Sequence, residues 1–248
     1  PITSHNVSLT AGSDVIKAYV GLGYQYQAGM WSTSHSRRIN LTSNVDIKAT
    51  KTTTVGVAIN GWNELIERPS ATGKDIFGTA TQYLPINKIF YSNGLRANRR
   101  NSIIDTESGK VSNDQTKIML QAYLEQDLSF ITKGLSANAL VNFKNWSSSE
   151  YNRTIEPYYY RVKENSYDPK NPVSYELERL GTSGKQYIAE SGITRSGDRT
   201  IFMQFQINYT RQFGKHNVGG MLMYMQRDFK KDVLPNRNQG FSGRFTYD

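Results

Sequence analysis

Glu125 and Asp127 are the nearest this sequence comes to a catalytic carboxylate pair. Two residues apart on a strand, they share a face, and two carboxylates at the right separation can divide acid and base work across a glycosidic bond. The same spacing suits a polar network on the inner wall of a barrel, and that reading is preferred. The three histidines, His5, His35 and His216, fall in a strand, a loop and a turn, and none has a second metal ligand at helical spacing. There is no cysteine, which removes thiolate nucleophiles and cysteine-based metal sites. No enzyme, cofactor or metal is therefore expected. The better ligand candidates are aromatic: Trp31, Trp62, Trp146 and the run Tyr158, Tyr159, Tyr160, all in or near long irregular stretches. Their rings can stack on sugar faces while their polar atoms reach hydroxyls, or they can serve as an interfacial girdle and loop packing.

The charge is +9, with Arg96, Arg99 and Arg100 as the longest basic cluster. Nucleic-acid binding would call for a basic face interleaved with aromatic residues, and here the charge is dispersed, so no nucleic-acid partner is expected.

The elements that must carry these residues are strands. In Thr200 to Asp228, Ile201, Met203, Phe205, Ile207 and Tyr209 alternate with Phe202, Gln204, Gln206, Asn208 and Thr210. Period two with one apolar and one polar side marks a strand between different media. A tight turn, Gln212 to His216, leads into a second strand, Asn217 to Arg227. About ten residues per strand is the length of a tilted transmembrane strand.

The unit recurs. Strands are expected over Thr3–Thr10, Val15–Gln27, Arg37–Ala49, Thr53–Trp62, Thr116–Ile131 and Leu135–Trp146, with a last one from Gly240. Every second connection is short (11–14, 50–52, 132–134, 212–216), and the alternate ones are longer, above all 63–115 and 147–199. Within the second, Ser174 to Leu180 reads as a short helix or as irregular loop. This alternation puts all short turns on one rim and all long loops on the other. The expectation is an all-β fold: about nine strands of an antiparallel transmembrane β-barrel, with short periplasmic turns and long extracellular loops. A mean hydropathy of −0.59 excludes a helical membrane protein and leaves a barrel open. Phe241, Phe245 and Tyr247 share the apolar parity and are expected to meet lipid, whereas Trp62 and Trp146 take the lumen parity near the loop-side ends of their strands.

Four pieces in order resemble one family: HNVSLTAGSD with YVGLGYQYQAGMW, then RRINLTSNVDIKATKTTTVGVAINGW, then GKHNVGGMLMYMQ, then LPNRNQGFSGRFTYD. The chain resembles the barrel of SusC/RagA-type TonB-dependent outer-membrane transporters of Bacteroidota. The resemblance implies a barrel of about 22 strands around a plug, importing an oligosaccharide or peptide. It also implies a SusD-like surface lipoprotein outside, energy from TonB, outer-membrane lipid around the wall, and no covalent chemistry. Residues 1–248 then form a partial barrel domain; plug, TonB-binding segment and closing strands are absent from it. The rival reading is a soluble β-rich glycan-binding module using the same aromatic residues.

Overall fold

The computed structural model describes residues 1–97, 100–107, 109–155, 157–171, 174–181, 184 and 189–248, apart from the side chains of 189–191. Arg99 of the basic cluster lies outside the described residues. Eleven strands and two helices follow in chain order: β1 (Ile2–Gly12), β2 (Ile16–Ala28), β3 (His35–Lys48), β4 (Thr53–Pro69), α1 (Gly73–Gln82), α2 (Ser102–Glu107), β5 (Gly109–Asp127), β6 (Leu135–Thr154), β7 (Tyr159–Val162), β8 (Leu177–Leu180), β9 (Ala189–Phe213), β10 (His216–Lys230) and β11 (Asn236–Tyr247). Nine of the strands form one antiparallel sheet in the order β1-β2-β3-β4-β5-β6-β9-β10-β11, and β7 and β8 pair separately. Each neighbour in the large sheet is the next strand along the chain, apart from the β7–β8 hairpin between β6 and β9. This up-and-down order is how a barrel wall is built. Among the described residues no helix is long and apolar enough to cross a membrane.

Register turns the period-two pattern into two faces. One face carries Ile39, Leu41 and Val45 of β3; Val55, Val57 and Ile59 of β4; Ile118, Leu120 and Leu124 of β5; and Val141 and Phe143 of β6. It continues through Met203, Phe205 and Ile207 of β9 to Leu222 and Tyr224 of β10 and Phe241 and Phe245 of β11. These side chains range from half-buried to exposed, reaching 85% at Phe241 and 68% at Leu222. In water such a continuous apolar face would be a large liability, and against acyl chains it is the stable arrangement. On β9 the apolar series runs from Ile201 to Tyr209, about 26 Å along the strand and roughly 20 Å of depth at a barrel's tilt.

In the upper part of this band polar residues enter the outward face, with Asn63 opposite Ile39 and with Gln226 and Asp228 opposite Met203 and Ile201. Asn63 Nδ2 donates to Asp114 Oδ1 (2.7 Å) and Thr116 Oγ1 (2.9 Å) across β4 and β5. Tyr224, Gln226 and Asp228 form a polar chain on β10, and Arg237 of β11 closes on Asp228.

The strands nevertheless continue, and this corrects the expected loops. β4 runs on to Pro69, β5 starts at Gly109, β6 extends to Thr154 and β9 starts at Ala189. β6 is 20 residues long and β9 is 25, about twice what a bilayer crossing needs. Once above the membrane neither face has to be apolar, so period two fades while the backbone ladder persists. At the opposite rim β5 stops at Asp127 rather than Ile131, because the Asp127 carboxylate accepts from Ser129 N (2.8 Å) and draws Leu128 and Phe130 into the turn. The segment Ser174–Leu180 contributes strand β8, so neither expected state holds.

The long connections pack into a cap over the loop-side rim. α1 starts at Thr72, whose hydroxyl accepts from Asp75 N (3.2 Å), and Asp75 in the first turn complements the helix dipole. α2 is capped by Asn101, whose Oδ1 accepts from Ile104 N (2.9 Å). Ile76, Ala97, Ile104 and Val111 are buried beneath them, which places the buried apolar core of the described residues in the cap and at its junction with β5. The two long connections are also joined to each other. Tyr160 N donates to Arg96 O (2.9 Å), and Ala97 bridges to Tyr160 in parallel.

Candidate functional site

Two clefts open in the cap where the long connections meet. The larger, about 710 Å³, lies between the α1–α2 segment and the β6–β7 junction and is lined by Arg100, Ile104, Asp105, Thr154, Tyr159 and Leu180 among others. The smaller, about 330 Å³, holds Phe90, Arg96, Ile155, Tyr158 and Tyr160. Alternation explains the sharing of the tyrosine run. Tyr159 faces one cleft and its neighbours face the other, as successive residues of extended chain must.

Electrostatics in the larger cleft centre on Asp105, which is only 3% exposed. Its Oδ1 accepts from Arg100 Nε at 2.5 Å and its Oδ2 from Thr79 Oγ1 at 2.9 Å, which ties α2 to α1. The Asp105 hydrogen bond holds the Arg100 guanidinium above its ordinary range. Burial raises the Tyr159 phenol, and the Asp105 charge adds to it. The cleft thus presents the partly exposed Arg100 cation beside the Asp75 and Asp105 carboxylates, the Tyr159 phenol, and apolar Ile104 and Leu180. In the smaller cleft Arg96 Nε is buried and has no hydrogen-bond partner among the described residues. Tyr158 is covered by the Arg179 guanidinium, 4.9 Å from its ring.

Below the cap the inner face is polar, and it brings two of the expected tryptophans together. Trp62 on β4 and Trp146 on β6 both stand directly opposite Lys117 on β5. They form one row across the wall, with the Arg38 guanidinium stacked on Trp62 at 4.7 Å. Asp198 of β9 ends the row opposite Trp146, and its Oδ1 is buried without a hydrogen-bond partner among the described residues. Because β4 and β6 continue to Pro69 and Thr154, this row lies partway down the wall, not near the strand ends as expected. Higher up, Ser148 and Asn113 lead to Glu150, which Arg68 approaches at 3.8 Å. Trp31 is elsewhere. It sits between β2 and β3, with its ring 6.0 Å from Phe77 of α1.

His35, His216 and Asp127 have structural partners. His35 Nε2 meets Glu67 Oε2 at 2.7 Å, and His216 Nδ1 bonds the Tyr247 hydroxyl at 2.6 Å. His216 therefore opens β10, stacked on a ring of β11, rather than standing free in the turn. Among the described residues no group of three metal-ligating side chains occurs. Asp127 is occupied in capping its turn. Sequence reasoning missed Asp105 and Lys117. For Asp105 the available signal was the Asn101–Ile104 capping spacing; Lys117 falls on the polar side of its strand's alternation, but its two tryptophan neighbours come from other strands.

No family model matches the sequence, and no curated protein matches it. Solved structures do. The chain is similar to the RagAB peptide transporter, with a TM-score of 0.63 at 14% identity over 99% of its length. It is likewise similar to the RagAB peptide importer in its open-open state (TM-score 0.63, 13% identity over 99%) and its closed-closed state (0.60, 13% over 98%). It spans about 30% of the length of those chains. At such identity the likeness establishes the fold alone: an antiparallel, up-and-down β-barrel wall, open along β1 and β11.

Proposed function

We propose that these residues form part of the barrel and the extracellular vestibule of an outer-membrane, TonB-dependent importer of the SusC/RagA type, taking up a peptide or an oligosaccharide. The observation that carries this reading is the pairing of a lipid-compatible outer face with a cap whose clefts open on the same rim as a polar, tryptophan-bearing inner face. A solute held by Arg96, Arg100 and the Tyr158–Tyr160 run would next meet Trp62, Lys117 and Trp146 on its way down the wall. Trp31 shapes the rim by holding α1. A peptide suits the two arginines, which can take carboxylate or backbone carbonyl oxygens, and the likeness to a peptide transporter supports it. A sugar chain would use the rings. The activity is translocation without covalent chemistry, in a Bacteroidota-like cell. A SusD-like lipoprotein covers the cap, and TonB acts through a segment outside these residues.

The test is uptake of fluorescent oligopeptides and oligosaccharides by cells carrying the full-length protein, with and without TonB. TonB-dependent uptake of either class supports the reading. A protein that stays folded and soluble without detergent and transports neither overturns it in favour of a soluble glycan-binding module.

A further inference from the structure

The outward face of β9, β10 and β11 is not an even apolar wall. Gly220 lies on it between Tyr209 and Phe245, and Gly243 lies on it opposite Leu222. Where these side chains are missing, two adjoining hollows of about 510 and 420 Å³ open along the strands, sharing Ile207, Leu222 and Gly243. Aromatic rings flank them, with Tyr224 and Phe241 at 4.9 Å near the upper end. A Cβ at Gly220 would come no closer than 4.0 Å to Arg244 O, so the sheet itself leaves the space open.

Beyond the groove's upper end, past the Met203–Gln226–Gln239 row, basic side chains appear on the outward face. Arg199 follows Ile201 on this face and pairs across the ladder with Lys230. One row lower Arg237 stands opposite Asp228 and bonds it at 2.7 and 3.1 Å. All three cations are exposed, and the Asp228 carboxylate stands among them, bonded to Arg237. Like charges paired across a ladder disfavour the sheet unless an anion lies between them. An apolar groove with excess positive charge beyond its upper end, near the edge of the apolar band, is complementary to an amphiphile with an anionic head.

We propose that this groove binds one outer-leaflet lipid bearing a phosphate headgroup. An acyl chain lies along the Gly220–Gly243 hollow and the phosphate lies among Arg199, Lys230 and Arg237. The inference rests on the barrel fold and the outward apolar face, not on the transported solute, so failed uptake with intact lipid binding would separate the two proposals.

The experiment is native mass spectrometry of the full-length protein in detergent, titrated with diphosphoryl lipid A, its dephosphorylated form and inorganic phosphate. The expected result is retention of one diphosphoryl lipid A, weakened roughly tenfold or more in the R199Q/K230Q/R237Q variant. Gly220→Leu, which fills the hollow, should weaken it too, and Lys215→Gln on the opposite rim should leave it unchanged. Heat-modifiable gel migration checks that each variant is folded. Should the triple variant not fold, Arg199→Gln and Lys230→Gln are read singly, each expected to bind several-fold more weakly. Equal binding of the dephosphorylated lipid, wild-type affinity in the charge variants, or inorganic phosphate binding as tightly as the lipid would each overturn the proposal.

Discussion

The Tyr123 hydroxyl of β5 donates to Asp46 Oδ1 of β3 at 2.6 Å, reaching across the whole of β4. It can do so because the residue between them is Gly56, directly opposite both. A Cβ there would sit 2.1 Å from the tyrosine ring. Three strands are thus locked on the inner face by one ring lying over one glycine.

Gly56→Ala should therefore force the ring off and destabilise the folded barrel by about 1–3 kcal/mol. Tyr123→Phe keeps the ring packing, loses the hydrogen bond and should cost about 1 kcal/mol. Denaturant unfolding of the full-length protein in detergent, with both variants in parallel, checks the order.

The loop-side rim should be sensitive to acid. Glu67 is largely buried between His35, Lys110 and Ser112, with Lys110 Nζ at 2.6 Å from its Oε1. Burial pushes this carboxyl up, but the Lys110 hydrogen bond and charge, with His35 and Ser112, bring it below its ordinary 4.5. A depressed folded value stabilises the rim above pH 4.5, and that contribution is lost as pH falls through the lower folded value. Protection from hydrogen exchange at the tops of β3, β4 and β5, taken relative to the intrinsic rate at each pH, should fall as the pH drops below that point. In Glu67→Gln the exchange should be fast already at neutral pH and lose this dependence.

In the larger cleft, Arg100 and Asp105 should behave unequally. Arg100→Gln leaves a 3%-exposed carboxylate with only Thr79 bonding it among the described residues and should loosen the cap by about 3 kcal/mol or more. The double change R100Q/D105N removes both charges and should recover much of that loss. Limited proteolysis within residues 70–108 reads the difference.

On the proposed import reading, Trp62→Ala and Trp146→Ala should each lower apparent affinity for the imported solute about tenfold, as loss of one stacking ring does, with barrel folding retained. Trp31→Ala should instead act on the cap, raising cleavage near α1 through loss of the Phe77 contact. Uptake titrations alongside proteolysis separate the two behaviours.

The sequence by itself determined the wall. Alternation through Ile39, Leu41, Phe205 and Ile207 identified the strands and their faces, and short turns alternating with long connections determined which rim carries the loops. These are local signals, because a bilayer imposes its polarity on every strand separately. Only the tertiary structure decided what lies above the membrane, where both faces are wet and the pattern no longer reports the ladder. Strand extension to Pro69 and Thr154, the pairing of Tyr159 with Arg100 and Asp105, and the Trp62–Lys117–Trp146 row each depend on residues from separate segments meeting at one height. Register between strands brings such residues together, and register is a property of the pairing, not of any one strand.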